Sequence, residues 1–212
     1  MSTPAPFSTK DRILGAAEEL FAQYGFSGTS LRQVTSRADV NIAAVNYHFG
    51  SKENLVNEVF RRRMDEMTEK RLSALREAVE KRPGELEPIL AAFVEPALAI
   101  AQDRHGGASF VRVLARAYAE KNDALRKFLS DHYGHVLRDF AKAIAAVVPG
   151  LSKETLYWRL DFLSGALTYA MSDFGLIKRP TGAAEATHRA RAARELIRFA
   201  AAGIQCPSAD PA

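Results

Sequence analysis

Apolar residues recur at helical spacing almost from one end of this chain to the other, and no stretch of useful length alternates as a half-buried strand would. Ile13, Leu14, Ala17, Leu20, Phe21 and Tyr24 form one face of a first helix. Ser8, with Asp11 three residues on, opens it as a capping box, and Gly25 closes it. Leu31 and Val34 start a second, shorter helix, and Ala38 follows four residues after Val34. The segment Ala38-Asp39-Val40-Asn41 then breaks the period. A third helix, Ile42 to Phe49, turns Val45 and Phe49 to one face and Ala44, Tyr47 and His48 to the other. Gly50 suits its C-terminal end, and Ser51 suits the N-cap of whatever follows.

A fourth helix can run uninterrupted from Ser51 to about Lys81, a length of ~45 Å at the usual rise per residue. Its apolar stripe includes Leu55, Val59, Met67 and Leu75, and Glu58–Arg62 and Glu66–Lys70 are spaced as i,i+4 pairs. Pro83-Gly84 breaks the pattern. Further helical patterns follow at about 85–102, 108–120, 122–148, 152–175 and 184–203, separated by Gly106-Gly107, Asn122 or Asp123, Pro149-Gly150, and Pro180 with Gly182. Pro96 should kink or split the first of these. The expected fold is all-α, with about nine helices.

Composition changes this picture little. At 47% hydrophobic and 25% charged, the chain reads as an ordinary globular protein with room for two modest cores. No apolar run approaches the ~20 residues that a membrane-spanning helix needs. MSTPAPFSTK lacks the pattern of a secretory signal, and Cys206 has no second cysteine to pair with. A cytoplasmic location is therefore expected, with no membrane association. Charge matters more. The net charge is +4, yet through residue 60 there are five basic residues against six acidic ones. Any nucleic-acid affinity of this segment must rest on a few placed cations and on helix N-termini, not on a broad positive field.

Two short helices joined by a tight turn can lay the second across a DNA groove. Here that second helix starts with Asn41, Ile42, Ala43 and Ala44, small enough at the front for close approach, and Ala methyls can meet thymine methyls. Asn46 has the geometry for a bidentate contact to adenine, or can reach only phosphate or water. Thr29 and Ser30 can offer hydroxyl and N–H groups to a phosphate, and Arg32 and Gln33 lie close behind them. Alternatively, Tyr47 and His48 are core-edge residues packing the third helix on the first.

The run VNYHFGSKENL resembles the end of the DNA-binding domain of the TetR family of bacterial repressors, whose usual form is LYYHFxSKExL. The preceding ILGAAEELFAQYGFSGTSLRQV is similar to that family's first helix and the entry to its second. The resemblance covers roughly residues 8 to 60. It implies a three-helix DNA-binding domain at 8–60, with the helix-turn-helix at about 30–49, joined by a long helix to a ligand-binding and dimerisation domain at 61–205. Tyr47, His48 and Lys52 match positions that in the family touch the DNA backbone. Asn46 departs from the aromatic residue more usual there. That VNYHF variant, with LYWRLDFLSGALTYAMSD further on, resembles the fatty-acid-responsive regulators of the PsrA type.

Beyond Pro83 aromatic residues are frequent, and most should be core. Some can instead line a cavity for an apolar effector. Phe93, Phe110, Leu114, Tyr118, Tyr133, Trp158 and Phe162 are the candidates for its wall. Arg112, Arg116 and Arg159 can pair with an anionic head group, or can snorkel to solvent or pair with Glu120 or Asp161. The eighth and ninth helices carry apolar stripes, Leu160, Leu163, Leu167 and Phe174 on one and Leu196, Ala200 and Gly203 on the other. They suit a two-fold four-helix contact, although a monomeric core would use the same pattern.

The expected function is that of a ligand-responsive repressor. The expected partners are palindromic double-stranded operator DNA, a second copy of the chain, and an apolar effector such as a long-chain fatty acid or acyl-CoA. A hydrophobic drug or aromatic metabolite is the alternative effector, and a helical interaction protein that does not bind DNA is the alternative class. Enzymatic readings have little to stand on. His132 and His135, with Asp131 and Asp139, lack a second converging segment for a metal, Cys206 has no nearby histidine, and Gly106-Gly107 lacks the context of a phosphate loop. No cofactor is implied.

Overall fold

The computed structural model describes residues 8–101, 106–172, 177, 181–182 and 184–207. Among them are nine helices and no strand: α1 (Thr9–Tyr24), α2 (Leu31–Ala38), α3 (Ile42–Phe49), α4 (Lys52–Lys81), α5 (Leu86–Ile100), α6 (Gly107–Ala119), α7 (Asp123–Val147), α8 (Lys153–Met171) and α9 (Ala184–Gln205). The all-α expectation is met. Capping explains most of the boundaries. The Ser8 hydroxyl accepts the Asp11 N–H at 3.1 Å, and Ser152 does the same for Thr155 at 3.1 Å. At the start of α2, Ser30 and Gln33 form a complete capping box. Gly25 ends α1 at φ +75°, a conformation open to glycine at little cost.

Pro96 lies inside α5 without splitting it. The backbone bond it removes, with an interior cost of ~3 kcal/mol, is outweighed by apolar burial on both sides of it. Leu90, Phe93, Val94 and Ala97 are all buried. On α4, Glu66 pairs with Lys70 as the spacing suggests, whereas Glu58 is held by Arg61 at 3.0 Å and Lys10 at 3.2 Å rather than by Arg62. A carboxylate selects its partner by where both side chains lean, which i,i+4 spacing alone does not settle.

The chain forms two compact units, and they do not follow chain order. The first contains α1, α2, α3, residues 52–64 of α4, α6, and residues 123–131 of α7. Its core gathers Ile13, Ala17, Phe21, Val34, Val45, Leu55, Phe60 and Phe110. Helix α6 joins this unit because its Phe110 is fully buried edge-on to Phe60, with ring centroids 5.7 Å apart, and the helix lies along α1. Burying one such ring contributes ~2–3 kcal/mol. The buried Glu18 and the half-buried Arg63 form an ion pair at 3.3 Å.

The second unit contains residues 65–81 of α4, α5, residues 132–147 of α7, α8 and α9. Helix α5 packs against α8 and α9, which also pack on each other. Phe93 meets Phe140 at 5.1 Å, and the Arg71 guanidinium lies 3.9 Å from the Phe93 ring centre while its Nε donates to the Phe93 carbonyl at 2.8 Å. Tyr133 donates its hydroxyl to Asp65 at 2.6 Å. No described helix is long and apolar enough to cross a membrane.

Candidate nucleic-acid interface

Helix α3 is seated by its inner face and presents its outer one. Val45 is fully buried and Phe49 nearly so, which fixes the helix on α1 and α2. Its outer face carries Ala43, Asn46, Tyr47 and His48, all exposed. Tyr47 is 86% exposed, and its ring stands edge-on to His48 at 5.1 Å. The turn before α3 is tight because Asp39 adopts a left-handed conformation at φ 51°, which a short polar side chain tolerates. Asn41 then caps α3 by accepting the Ala44 N–H at 2.9 Å. Ala44 is half-buried, whereas Asn41, Ile42 and Ala43 before it are exposed.

The polar candidates around α3 differ in what they have to spare. Arg32 is exposed in the first turn of α2, and Lys52 is half-buried at the first residue of α4. Ser30 and Gln33 are exposed, but each is engaged with the other: the Gln33 side-chain oxygen accepts the Ser30 N–H at 2.7 Å and its hydroxyl at 2.8 Å. Thr29 is different. It is 2% exposed, and its hydroxyl donates to the carbonyls of Gly25 at 2.8 Å and Leu20 at 3.2 Å. A phosphate cannot reach that hydroxyl, so the expected Thr29 contact is corrected to a structural one. Arg37 is committed to Glu19, donating from Nε at 3.0 Å and Nη2 at 2.7 Å.

The loop between α1 and α2 has a partner that periodicity does not reveal. At the C-terminal end of α6 the Glu120 carboxylate accepts the N–H groups of Phe26 and Ser27, and one turn earlier Arg116 donates to the Gln23 carbonyl at 3.2 Å. Glu120 is 94 residues from Phe26. The one hint in the sequence is an unbroken Arg-x-x-x-Glu spacing at the end of a helix.

The ten effector candidates are not brought together within either unit. Phe110, Arg112, Leu114, Arg116 and Tyr118 lie in the first unit, and Phe93, Tyr133, Trp158, Arg159 and Phe162 in the second. Phe93 and Phe110 are closed within packed rings, and Tyr133 is tied to Asp65. Arg112 donates to Ser109 at 3.1 Å, and Arg159 caps the end of α9 by donating to the Ile204 carbonyl at 2.7 Å. Leu114 is half-buried, and Tyr118, Trp158 and Phe162 face outward. The second unit instead has a groove of about 830 Å³ between α4, α5 and α9, lined by none of these ten. Its floor is Ala74, Ala78, Ala91, Ala92 and Ile197, with Glu87, Glu95, Arg194 and Arg198 along its sides. Glu77 and Glu85, also there, are held below the usual carboxylate range by hydrogen bonds from Lys81 and Arg82.

Most of the residues expected at a dimer interface are taken up within the chain itself. Leu160, Leu163, Leu167 and Ala200 are buried within the chain's own second unit, and Leu196 is half-buried. Phe174 lies outside the described residues. Of that set Gly203 faces outward. Beside it an apolar strip is exposed: Trp158 at 56%, Phe162 at 66% and Tyr169 at 53% on α8, and Phe199 at 72% on α9. Phe199 falls off the apolar stripe of α9, and an aromatic residue on the polar side of a helix was the available signal.

Comparison with known proteins agrees with this architecture. Residues 13–59 match the family model for bacterial regulatory proteins of the tetR family, and residues 91–203 match the tetracyclin repressor-like C-terminal domain. The HTH-type transcriptional regulator QacR of Staphylococcus aureus is 38% identical over 50 residues, 24% of this chain and 27% of QacR. The HTH-type transcriptional repressor KstR2 of Mycolicibacterium smegmatis is 36% identical over 64 residues, 30% of this chain and 31% of KstR2. Both matches thus span less than a third of the relative's length. The TetR family regulator PfmR of Thermus thermophilus superposes with a TM-score of 0.59 at 17% identity, covering 92% of this chain and 98% of PfmR, so it shares the fold. With the second of the two family models alone spanning over half its length, this chain belongs to the TetR family of bacterial regulatory proteins.

Proposed function

We propose that the chain is a DNA-binding transcriptional repressor that works as a homodimer and leaves its operator when an apolar effector binds. DNA reading is assigned to residues 8–60, and effector binding and dimerisation to 61–205. The observation that carries the DNA reading is the outer face of α3, where Tyr47 stands almost fully exposed beside His48 and Asn46 on a helix whose inner face is closed. Small residues precede them, so the helix N-terminus can enter a major groove without steric conflict. Lys52 and Arg32 supply placed cations where the segment has no bulk positive charge. Gln33 and Asn41, which cap through their side-chain oxygens, can still donate outward from their NH₂ groups.

A palindromic duplex recovered by selection with the wild-type protein tests this, measured at two salt concentrations. The double variant Tyr47→Phe, Lys52→Ala should bind that duplex at least about tenfold more weakly, a loss of ~1.4 kcal/mol. Its salt slope should fall by about two, one phosphate contact from each Lys52 of the dimer, with helix content unchanged. Recovery of no preferred sequence at either salt sinks the regulator reading and favours a helical interaction protein.

For the effector, the resemblance of VNYHF to the PsrA-type regulators favours a long-chain fatty acid or acyl-CoA. The groove of the second unit supports that chemistry: its floor is apolar, and Arg194 and Arg198 on its side can meet a carboxylate or phosphate. Release would follow from population shift, the effector binding better to a form whose reading helices are misplaced for successive grooves.

A further inference from the structure

We infer that Glu120 is a positioning residue for DNA binding, a latch on α6 that holds the α1–α2 loop and so sets where α2 and α3 begin. This rests on the DNA-binding reading above. The Phe26 and Ser27 N–H groups fall between two helices and belong to neither helical ladder, so each needs a partner of another kind. Glu120 supplies it for both. Its two carboxylate oxygens accept the Phe26 N–H at 3.1 and 3.2 Å, and one of them also accepts the Ser27 N–H at 3.2 Å and the Ser27 hydroxyl at 3.4 Å. An ionised acceptor on two successive amides is the strong form of this contact.

The surrounding geometry is built for that carboxylate. A Cβ placed on Gly25 would collide with the Glu120 side-chain oxygen, and the φ of +75° at Gly25 independently favours glycine. Arg116, four residues before Glu120, grips the other side of the same bend through the Gln23 carbonyl, an acceptor in the last turn of α1 that has no helical partner. The Phe26 ring is buried against Phe21 and Phe60, which stops the loop from rotating about the latch. Thr29 ties the far end of the loop back to α1, and Ser30 starts α2 at the next residue. Between the carboxylate and the α2 cap little freedom is left. A recognition helix must be held to within about half an ångström and 10–20°, and this loop is what sets its origin.

A cap that only stabilises would lower the melting temperature and leave the folded protein's affinity intact. Hydrogen exchange at the Phe26 and Ser27 amides, and affinity for the duplex recovered by the wild-type chain, separate the two at a temperature where every variant is folded. For Glu120→Ala, exchange at those two amides should quicken at least about tenfold while amides in α8 stay protected, and duplex affinity should fall at least about tenfold. Glu120→Gln keeps one acceptor oxygen but sets an NH₂ near an N–H, so it should fall between, and it carries the test if Glu120→Ala does not fold. Unchanged exchange overturns the latch. Faster exchange with affinity within twofold of wild type overturns the positioning role. A wild-type chain that recovers no duplex overturns the DNA-binding reading and this role with it, while the exchange data still show whether Glu120 holds the loop.

Discussion

Thr29 stands one residue before the cap of α2, where an exposed hydroxyl would suit a phosphate, yet its side chain turns inward and joins two carbonyls of α1. Replacing it with valine keeps the shape and removes the donor. Thr29→Val should therefore lower the unfolding free energy by about 1 kcal/mol, the usual net worth of such a bond, as read from urea denaturation. A surface change such as Lys52→Ala should move the same measurement by less than about 0.5 kcal/mol. The contrast separates residues that build the first unit from residues that face outward. Stability alone identifies the first kind. A similar distinction applies to Arg37 and Arg32 on α2: the first is spent on Glu19, whereas the second is exposed in the opening turn.

At the scale of the helix, α8 shows how one element can serve two surfaces. Leu156, Leu160, Leu163 and Leu167 turn inward to α5 and α9, while Trp158, Phe162, Gly165 and Tyr169 form a second stripe that faces outward. On α9 Phe199, Ala202 and Gly203 are exposed alongside Ala200 and Ile204, which are buried. Exposed aromatic residues on both helices, with Trp158 and Phe162 5.9 Å apart on α8, suit a two-fold contact with a second copy. If the chain is the dimer proposed above, light scattering should give a dimeric mass for the wild type and a monomeric one for the double variant Phe162→Asp, Phe199→Asp, with an unchanged helical spectrum. Leu163→Asp should instead unfold the second unit, because its side chain is 4% exposed inside that unit's core. A dimer that survives the double aspartate variant would place the interface elsewhere.

At the scale of the whole molecule, the chain crosses between the two compact units three times: within α4 at Met64–Asp65, between α5 and α6 at 102–103, and within α7 at Asp131–His132. The first and third of these crossings lie within helices. If an apolar anion is the effector, linkage requires symmetry: palmitoyl-CoA should lower affinity for the selected duplex by the same factor by which the duplex lowers affinity for palmitoyl-CoA. Paired titrations measure both factors. Unequal factors would show that the two ligands do not act through one equilibrium, and a hydrophobic cation that displaces the duplex where palmitoyl-CoA does not would favour the drug-type effector.

Much of this was legible from spacing because helix formation is local. Ser8, Gly25, Asn41, Gly50 and Ser152 mark their helix ends through bonds made within a few residues, and Val45 and Phe49 declare the inner face of α3 by period alone. For Tyr47 and His48 the period left two readings open, outward or core-edge, and their exposure on α3 selects the first. What needed tertiary structure was every decision between neighbours distant in the chain. The period of α8 shows apolar residues on more than one face, so it cannot say which stripe is core. Thr29 reads as exposed until α1 is laid beside it, and Phe93 and Phe110 read as a cavity wall until their ring partners close around them. Glu120 finds the Phe26 amide across 94 residues, and Phe110 brings α6 back onto the first unit through Phe60. The sequence by itself determined the helices and the inner face of α3; only packing, which joins residues without regard to their separation, decided what holds that helix in place.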